Sequence, residues 1–182
     1  MLVVRPALES DFGAIGRVFH EAVHQIARRD YTEEQLRAWS PGELSAEHWQ
    51  RRTGKLEVRV AALESVVAGF IGFSRSGYID LLFVRPELAR RGIARALLLN
   101  AESMLGQLGV ESAWTEASLT ARGFFQAMGY STVREQTVYC EGVELRNCRM
   151  EKVLTQPAGA TNGSQPLRSA TNRPSGTAGS SR

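Results

Sequence analysis

From Tyr78 to Leu98 the chain reads YIDLLFVRPELARRGIARALL, and no other stretch restricts the fold as strongly. Seven residues rich in branched and aromatic side chains predict a strand, which ends before Pro86 because proline cannot donate to a ladder. A basic loop follows, and Gly92-Ile93-Ala94 then opens a helix. The first turn of a helix leaves several N–H groups without partners and carries a partial positive charge. Small residues there let a phosphate or pyrophosphate approach the backbone, and Arg90, Arg91 and Arg95 add charge. A strand, a short loop and a helix in this order point to a layered α/β domain. The loop has neither the lysine spacing of a Walker sequence nor a Gly-x-Gly-x-x-Gly run, which sets aside those two nucleotide cradles.

The flanking elements follow from periodicity. LVVR is a short first strand ended by Pro6. Ser10 or Asp11 is placed to cap a helix whose apolar stripe is Phe12, Ile15, Phe19, Ala22, Val23 and Ile26. Thr32 and Gln35 form a capping-box pattern at the head of TEEQLRAW, and a further short helix is expected around Ala46–Arg52. LEVRVAAL and VVAGFIGF are strands joined at Glu64-Ser65, and a turn at Ser76-Gly77 precedes YIDLLFV. Arg91 to Leu108 is helical, VESAWTEA is a strand, TARGFFQAM is a helix, and a β-hairpin over residues 131–154 closes the domain. The expected fold is α/β (α+β), with a single mixed, mostly antiparallel central sheet and helices on both faces.

From Thr155 onward almost every residue is small or polar, too little to offset the entropy of ordering. The folded domain is therefore expected to be residues 1–154, with 155–182 a disordered tail. Three of the 22 basic residues, Arg168, Arg173 and Arg182, lie in that tail, leaving 19 basic against 19 acidic residues in the domain. A domain neutral by count gives no electrostatic case for a nucleic-acid partner. No apolar run approaches the roughly 20 residues that cross a bilayer, so no membrane partner is expected. The opening MLVVRPALESD lacks the basic-then-apolar layout of a secretory signal, so the expected location is cytoplasmic. Cys140 and Cys148 fall on the closing hairpin, where Cys148 lies opposite Glu135 rather than Cys140. Both are expected to be free thiols used in packing.

One short pattern suggests a different chemistry. FHEAVHQ contains H-E-x-x-H as His20, Glu21 and His24, which on a helix could place two imidazoles on one Zn²⁺, with Asp30 six residues beyond. Arg17 and Arg28 lie one turn to either side of the histidines and would set cations beside the metal. Ala27 stands where the matching protease pattern has glycine. The expectation is the polar flank of an amphipathic helix and no metal site.

The loop described first, read with two later segments, resembles the GNAT superfamily of N-acetyltransferases. Its coenzyme A signature is a Val-x-Pro strand exit followed by (Gln/Arg)-x-x-Gly-x-(Gly/Ala). Here it is carried by Val84, Pro86 and the run Ala89-Arg90-Arg91-Gly92-Ile93-Ala94. A second family segment is matched by SLTARGFFQAMGY, Ser118 to Tyr130. The resemblance spans roughly residues 2–154. It departs from the family in three places: Ala89 replaces Gln or Arg, Ser118 replaces Asn, and Phe125 stands where many members carry the tyrosine that protonates the departing thiolate.

The resemblance implies direct attack by an amine of a small molecule or peptide on acetyl-CoA, in a ternary complex. It implies that pantetheine pairs with backbone near Leu82, Phe83 and Val84, and that the pyrophosphate meets Arg90, Arg91, Gly92, Ile93, Ala94 and Arg95. Strand alternation puts Tyr78, Asp80, Leu82 and Val84 on one face unless a bulge intervenes. Asp80 is then the first candidate for the base that deprotonates the amine, because an acid in an apolar strand is costly without a purpose. An ion pair with a neighbouring arginine is the competing explanation. Glu116 is the second candidate, and Ser118 stands in for the missing acid. Tyr31, Trp39 and Tyr139 are candidate acceptor-lining residues. Members of this fold often dimerise, so a homodimer is among the assemblies implied. A non-catalytic acyl-CoA-binding regulatory domain is the alternative that Phe125 leaves open.

Overall fold

A computed structural model describes residues 1–42 and 44–154, so the expected tail lies outside the described residues. Seven strands form one sheet in the order β1-β2-β3-β4-β5-β7-β6. They are β1 (Leu2–Pro6), β2 (Glu57–Leu63), β3 (Val66–Phe73), β4 (Tyr78–Val84), β5 (Ser112–Ser118), β6 (Ser131–Cys140) and β7 (Val143–Val153). β4 and β5 run parallel, and the remaining neighbours pair antiparallel. The tight turns sit where the sequence places them. Glu64 and Ser65 have φ of 49° and 73°, and Glu141 and Gly142 of 48° and 81°, the left-handed pairs that match hairpin twist. Cys148 faces Glu135 across β6 and β7, and both cysteines are free.

Helices α1 (Phe12–Glu21), α2 (Glu33–Trp39) and α3 (Ala46–Thr53) cover one face, and α4 (Ile93–Gln107) and α5 (Leu119–Ala127) cover the other. Each face has its own core. Ile15, Val18, Trp49, Phe70 and Leu81 are buried under α1–α3, and Ile71, Phe73, Leu97, Leu98, Leu105 and Met150 under α4 and α5. Each such side chain contributes about 1.5–3 kcal/mol of burial, and this fixes the sheet between the two helical layers. The capping box at α2 forms as the sequence indicates: Gln35 N–H donates to Thr32 Oγ1 at 3.3 Å and Thr32 N–H to Gln35 Oε1 at 2.9 Å. Among the described residues no helix is long and apolar enough to cross a membrane.

Three local expectations change. Asp11 does not cap α1; it precedes the helix in a 3₁₀ turn, and its carboxylate accepts from Leu8 N–H and both guanidinium arms of Arg5. α1 gives way at Ala22–Ile26 to a π-helical turn, so its apolar stripe ends in wider spacing. The single-face alternation of β4 fails because a bulge does intervene. Leu81 pairs with Gly72 and Ile79 with Phe73, which leaves Asp80 as the extra residue. Ile79, Leu82 and Val84 consequently pack against the α4–α5 core, while Leu81 and Phe83 join the α1–α3 core. Tyr78 and Asp80 project on the latter side, opposite Leu82 and Val84.

Candidate active site

The parallel pairing of β4 and β5 lasts for two positions, Tyr78 with Trp114 and Ile79 with Thr115. Thr115 Oγ1 braces the last of them by donating to the Ile79 carbonyl at 2.9 Å. Beyond that point the strands part. The β5-facing backbone groups of Leu82 to Val84 have no strand partner, an open edge in the interior of a sheet. α4 starts at the far end of this gap. Its placement needs Gly69 on β3, where a Cβ would lie 2.8 Å from the Phe83 carbonyl oxygen and 3.1 Å from Ile93 Cγ2.

The loop between β4 and α4 adopts left-handed geometry twice, at Arg90 (φ 65°) and at Gly92 (φ 79°). For arginine this is an uncommon conformation, of a kind that concentrates at ligand sites. Nothing lies within 4 Å of a Cβ built on Gly92, so a ligand can approach there. Gly92 precedes the open first turn of α4, whose N–H groups lack intrahelical partners. Arg90, Arg91 and Arg95 are exposed and form no ion pair among the described residues. An unpaired strand edge leading to a cationic helix N-terminus fits an extended arm ending in a pyrophosphate. The candidate coenzyme-binding residues read from the sequence thus lie along the open β4 edge and the start of α4.

Asp80 and Glu116 each follow a member of the last ladder pair, at the point where the strands part. Asp80 is one-sixth exposed. Its Oδ2 lies 2.8 Å from Arg52 of α3, and its Oδ1 accepts from the Tyr78 hydroxyl at 3.1 Å. The arginine pairing weighed against a catalytic Asp80 is therefore present. Burial, reinforced by Asp80, pushes the Tyr78 phenol well above its usual range and keeps it a donor. Glu116 is exposed and accepts from Gln136 Nε2 at 2.9 Å.

The other candidates take structural duties. Ser118 caps α5, its Oγ accepting from Ala121 N–H at 3.2 Å. Phe125 is buried and packs edge-on to Tyr130. Tyr31 is buried; its hydroxyl donates to the Arg146 carbonyl at 2.6 Å and accepts from Leu119 N–H at 2.9 Å, pinning β7 to the start of α5. Trp39 stands edge-on to Tyr31 and Phe83 within the α1–α3 layer. Tyr139 is 72% exposed, while its neighbours Val138 and Cys140 pack against the α1–α3 core.

The H-E-x-x-H pattern also resolves. His24 Nε2 donates to the Ser40 carbonyl at 2.8 Å, and His20 Nδ1 lies 2.8 Å from the Ser40 hydroxyl. The two rings sit 4.4 Å apart, so together they clamp the end of α2. Asp30 is engaged instead by Thr120 Oγ1 at 2.7 Å and Arg29 at 2.9 Å, and these bonds hold its carboxyl below the usual range. Among the described residues no group of three or more histidine, cysteine or carboxylate side chains could hold a metal ion.

The sequence reading missed the residues that surround the two acids: Arg52, Trp114, Arg134, Gln136, Asn147 and Arg149. They come from α3, β5, β6 and β7, and strand register is what gathers them.

Comparison with known proteins places this geometry. A family model described as an acetyltransferase (GNAT) domain matches residues 27–154. An uncharacterised N-acetyltransferase of Escherichia coli K12, YafP, is 35% identical over 147 residues, covering 81% of this chain and 93% of that protein. The crystal structure of a GCN5-related N-acetyltransferase from Rhodopseudomonas palustris superposes with a TM-score of 0.80 at 29% identity, over 84% of this chain and 95% of the other. PaiA N-acetyltransferase from Thermoplasma acidophilum, solved in complex with coenzyme A, shares the fold at 19% identity with a TM-score of 0.63, over 84% and 99% of the two chains.

Proposed function

The chain belongs to the GNAT acetyltransferase family, and on that premise we propose that it transfers an acetyl group from acetyl-CoA to the amine of a small molecule or peptide. The observation that carries this reading is the parting of β4 and β5 after two ladder positions, opposite the open N-terminus of α4.

Acetyl-CoA supplies the activated acyl group; the chain supplies position and proton handling. The unpaired edge of Leu82, Phe83 and Val84 receives the pantetheine amides. The α4 N-terminus with Arg90, Arg91 and Arg95 holds the pyrophosphate, and Gly92 leaves it room. Ala89 contributes backbone alone. An incoming amine is drawn to the mouth of the gap by Asp80 and Glu116. Its nitrogen forms the bond to the acyl carbon as the carbon–sulfur bond breaks. The proton lost from nitrogen passes to Asp80, which Tyr78 and Arg52 hold in place. The thiolate leaves with the bonding pair and takes a proton from water or from the Ser118 hydroxyl, whose oxygen caps α5 while its hydrogen stays free, since Phe125 has none to give. Two free cysteines packed into the fold fit a reducing, cytoplasmic compartment.

Calorimetric titration with acetyl-CoA, compared with free CoA, tests the donor half. An amine screen following thiol release tests the acceptor half. Stoichiometric binding followed by amine-dependent thiol release is the expected result. Binding without turnover on any amine would leave a regulatory acyl-CoA-binding domain, and absence of binding by folded protein would remove the reading altogether.

A further inference from the structure

One face of the sheet is only partly covered. α1–α3 lie over β2, β3 and much of β4, and the start of β5, the middle of β6 and the end of β7 extend beyond them. On this face, four charged residues lie at the mouth of the gap, three of them aligned by strand register. Asp80 of β4 and Glu116 of β5 each follow the last residues paired between their strands, Glu116 pairs with Arg149 of β7, and Arg149 pairs with Arg134 of β6. The order is acid, acid, cation, cation.

This row does not neutralise itself. Glu116 and Arg149 are direct cross-strand partners, yet they form no ion pair. Glu116 takes the Gln136 amide, and Arg149 lies flat on Trp114 with its guanidinium carbon 3.6 Å from the ring centroid. Trp114 is itself stacked on Tyr78 at 4.1 Å. The stack holds the guanidinium plane and leaves its N–H edge open. Arg134 donates Nε to Gln136 and has no carboxylate partner among the described residues. Two unpaired cations directly opposite each other on neighbouring strands are destabilising, and a bound anion relieves the repulsion. A further group is unsatisfied on the same face: Asn147 Oδ1, two residues before Arg149, is buried without a partner. An ammonium N–H can supply what it lacks.

We propose that the acceptor is a small zwitterionic amine, amino-acid-like, whose anionic group is held by Arg149 with Arg134 while its ammonium sits between Asp80, Glu116 and Asn147. This rests on the acyl-transfer reading above and names the substrate class of that same site. Neighbouring strands lie about 4.8 Å apart, so the row suits a nitrogen and an anion separated by a few bonds. It disfavours polyamines, which would bring a second cation onto the arginines. Arg149 and Arg134 are specificity residues, and the chemistry stays with the acids.

The test is steady-state acetylation of glycine, β-alanine, γ-aminobutyrate, butylamine and spermidine by the full chain. Wild type, Arg149→Met, Arg149→Lys and Arg134→Met are compared, each checked for an unchanged acetyl-CoA Kd. Wild type is expected to prefer γ-aminobutyrate over butylamine by at least about tenfold in kcat/KM. Arg149→Met should lower that ratio about tenfold, chiefly through KM, with partial recovery in Arg149→Lys. Arg134→Met, on the edge strand, gives the same direction of change and serves if the stacked arginine proves necessary for folding. Acetylation of butylamine or spermidine as efficiently as the amino acids overturns the assignment while leaving the acetyltransferase standing. So does a selectivity ratio that neither arginine substitution moves. Loss of acetyl-CoA binding, or no turnover on any amine, removes the acetyltransferase reading and the acceptor assignment with it.

Discussion

The two halves of the proposed cleft are built in opposite ways. The donor half is one continuous piece of chain, from Leu82 through Arg95, and most of what it offers is backbone: an unpaired strand edge and a helix start. The acceptor half is almost entirely side chains, drawn from α3, β4, β5, β6 and β7 and brought together by register. A backbone cradle depends on φ/ψ and on the absence of side chains, so it tolerates a change such as Ala89. A side-chain floor depends on each partner being in place. Substitutions should therefore separate the halves, with acceptor-side changes acting on catalysis and donor-side changes acting on coenzyme affinity.

The largest separation is expected at Asp80. Asp80→Asn keeps the shape and the Tyr78 hydrogen bond but removes the proton acceptor and half of the Arg52 ion pair. It should lower kcat/KM by about 10²-fold while acetyl-CoA binding by calorimetry stays within error. The acid limb of the wild-type pH–rate profile should be lost with it. An unaltered profile in a folded variant would take Asp80 out of the base role and pass that role to Glu116.

Gly92 gives the converse result. Valine there must adopt φ near 79°, in a region where β-branched residues are outliers, and its side chain would fill the space above the first turn of α4. Gly92→Val should raise the acetyl-CoA Kd about tenfold or more, because the cost of αL geometry adds to the lost approach. The acceptor KM measured at saturating donor should hold. Equal losses in both parameters would mean that the two halves are not independent.

The same contrast explains what could be read from the sequence. The donor loop was legible because strand, proline, cations and glycine follow one another along the chain, and each has a local conformational meaning. Turns at Glu64-Ser65 and Glu141-Gly142 and the Thr32–Gln35 capping box were legible for the same reason. The Asp80 bulge was not, since it arises from the mismatch of β3 against β4 rather than from either strand alone. It reversed the face assigned to Leu82 and Val84. Nor could the sequence set Arg149 on Trp114, because that contact needs the antiparallel register of β5 with β7. Residue type alone makes Tyr31, Trp39 and Tyr139 acceptor-lining candidates. In the fold Tyr31 and Trp39 pack within the α1–α3 layer and Tyr139 is exposed.

A third site, outside both halves, provides a control on stability. The Arg5 guanidinium, bonded to Asp11 at 2.6 and 3.0 Å, holds that carboxyl below the usual carboxylate range. A depressed folded-state pKa contributes stability that is full above the unfolded value, near 3.9, and is lost as pH falls through the folded value. Asp11→Asn should cost about 2 kcal/mol at neutral pH. Denaturant titration should show the gap between wild type and variant constant above about pH 5 and closing below about pH 4. A gap that persists at pH 2 would assign the loss to packing rather than to the charge.

The smallest effect is expected at the histidines. His24 Nε2–H satisfies the Ser40 carbonyl, and Ser40 itself is 1% exposed beneath the imidazole. His24→Ala should lower stability by about 1 kcal/mol, loosening the end of α2 without touching the donor groove. His24 Nε2 already donates a proton to the Ser40 carbonyl. Wild-type acetylation rates should therefore match with and without chelator, and added Zn²⁺ should leave the Tm unmoved. A rise in Tm with zinc that disappears in His24→Ala would restore the H-E-x-x-H pattern as a binding site at the end of α2.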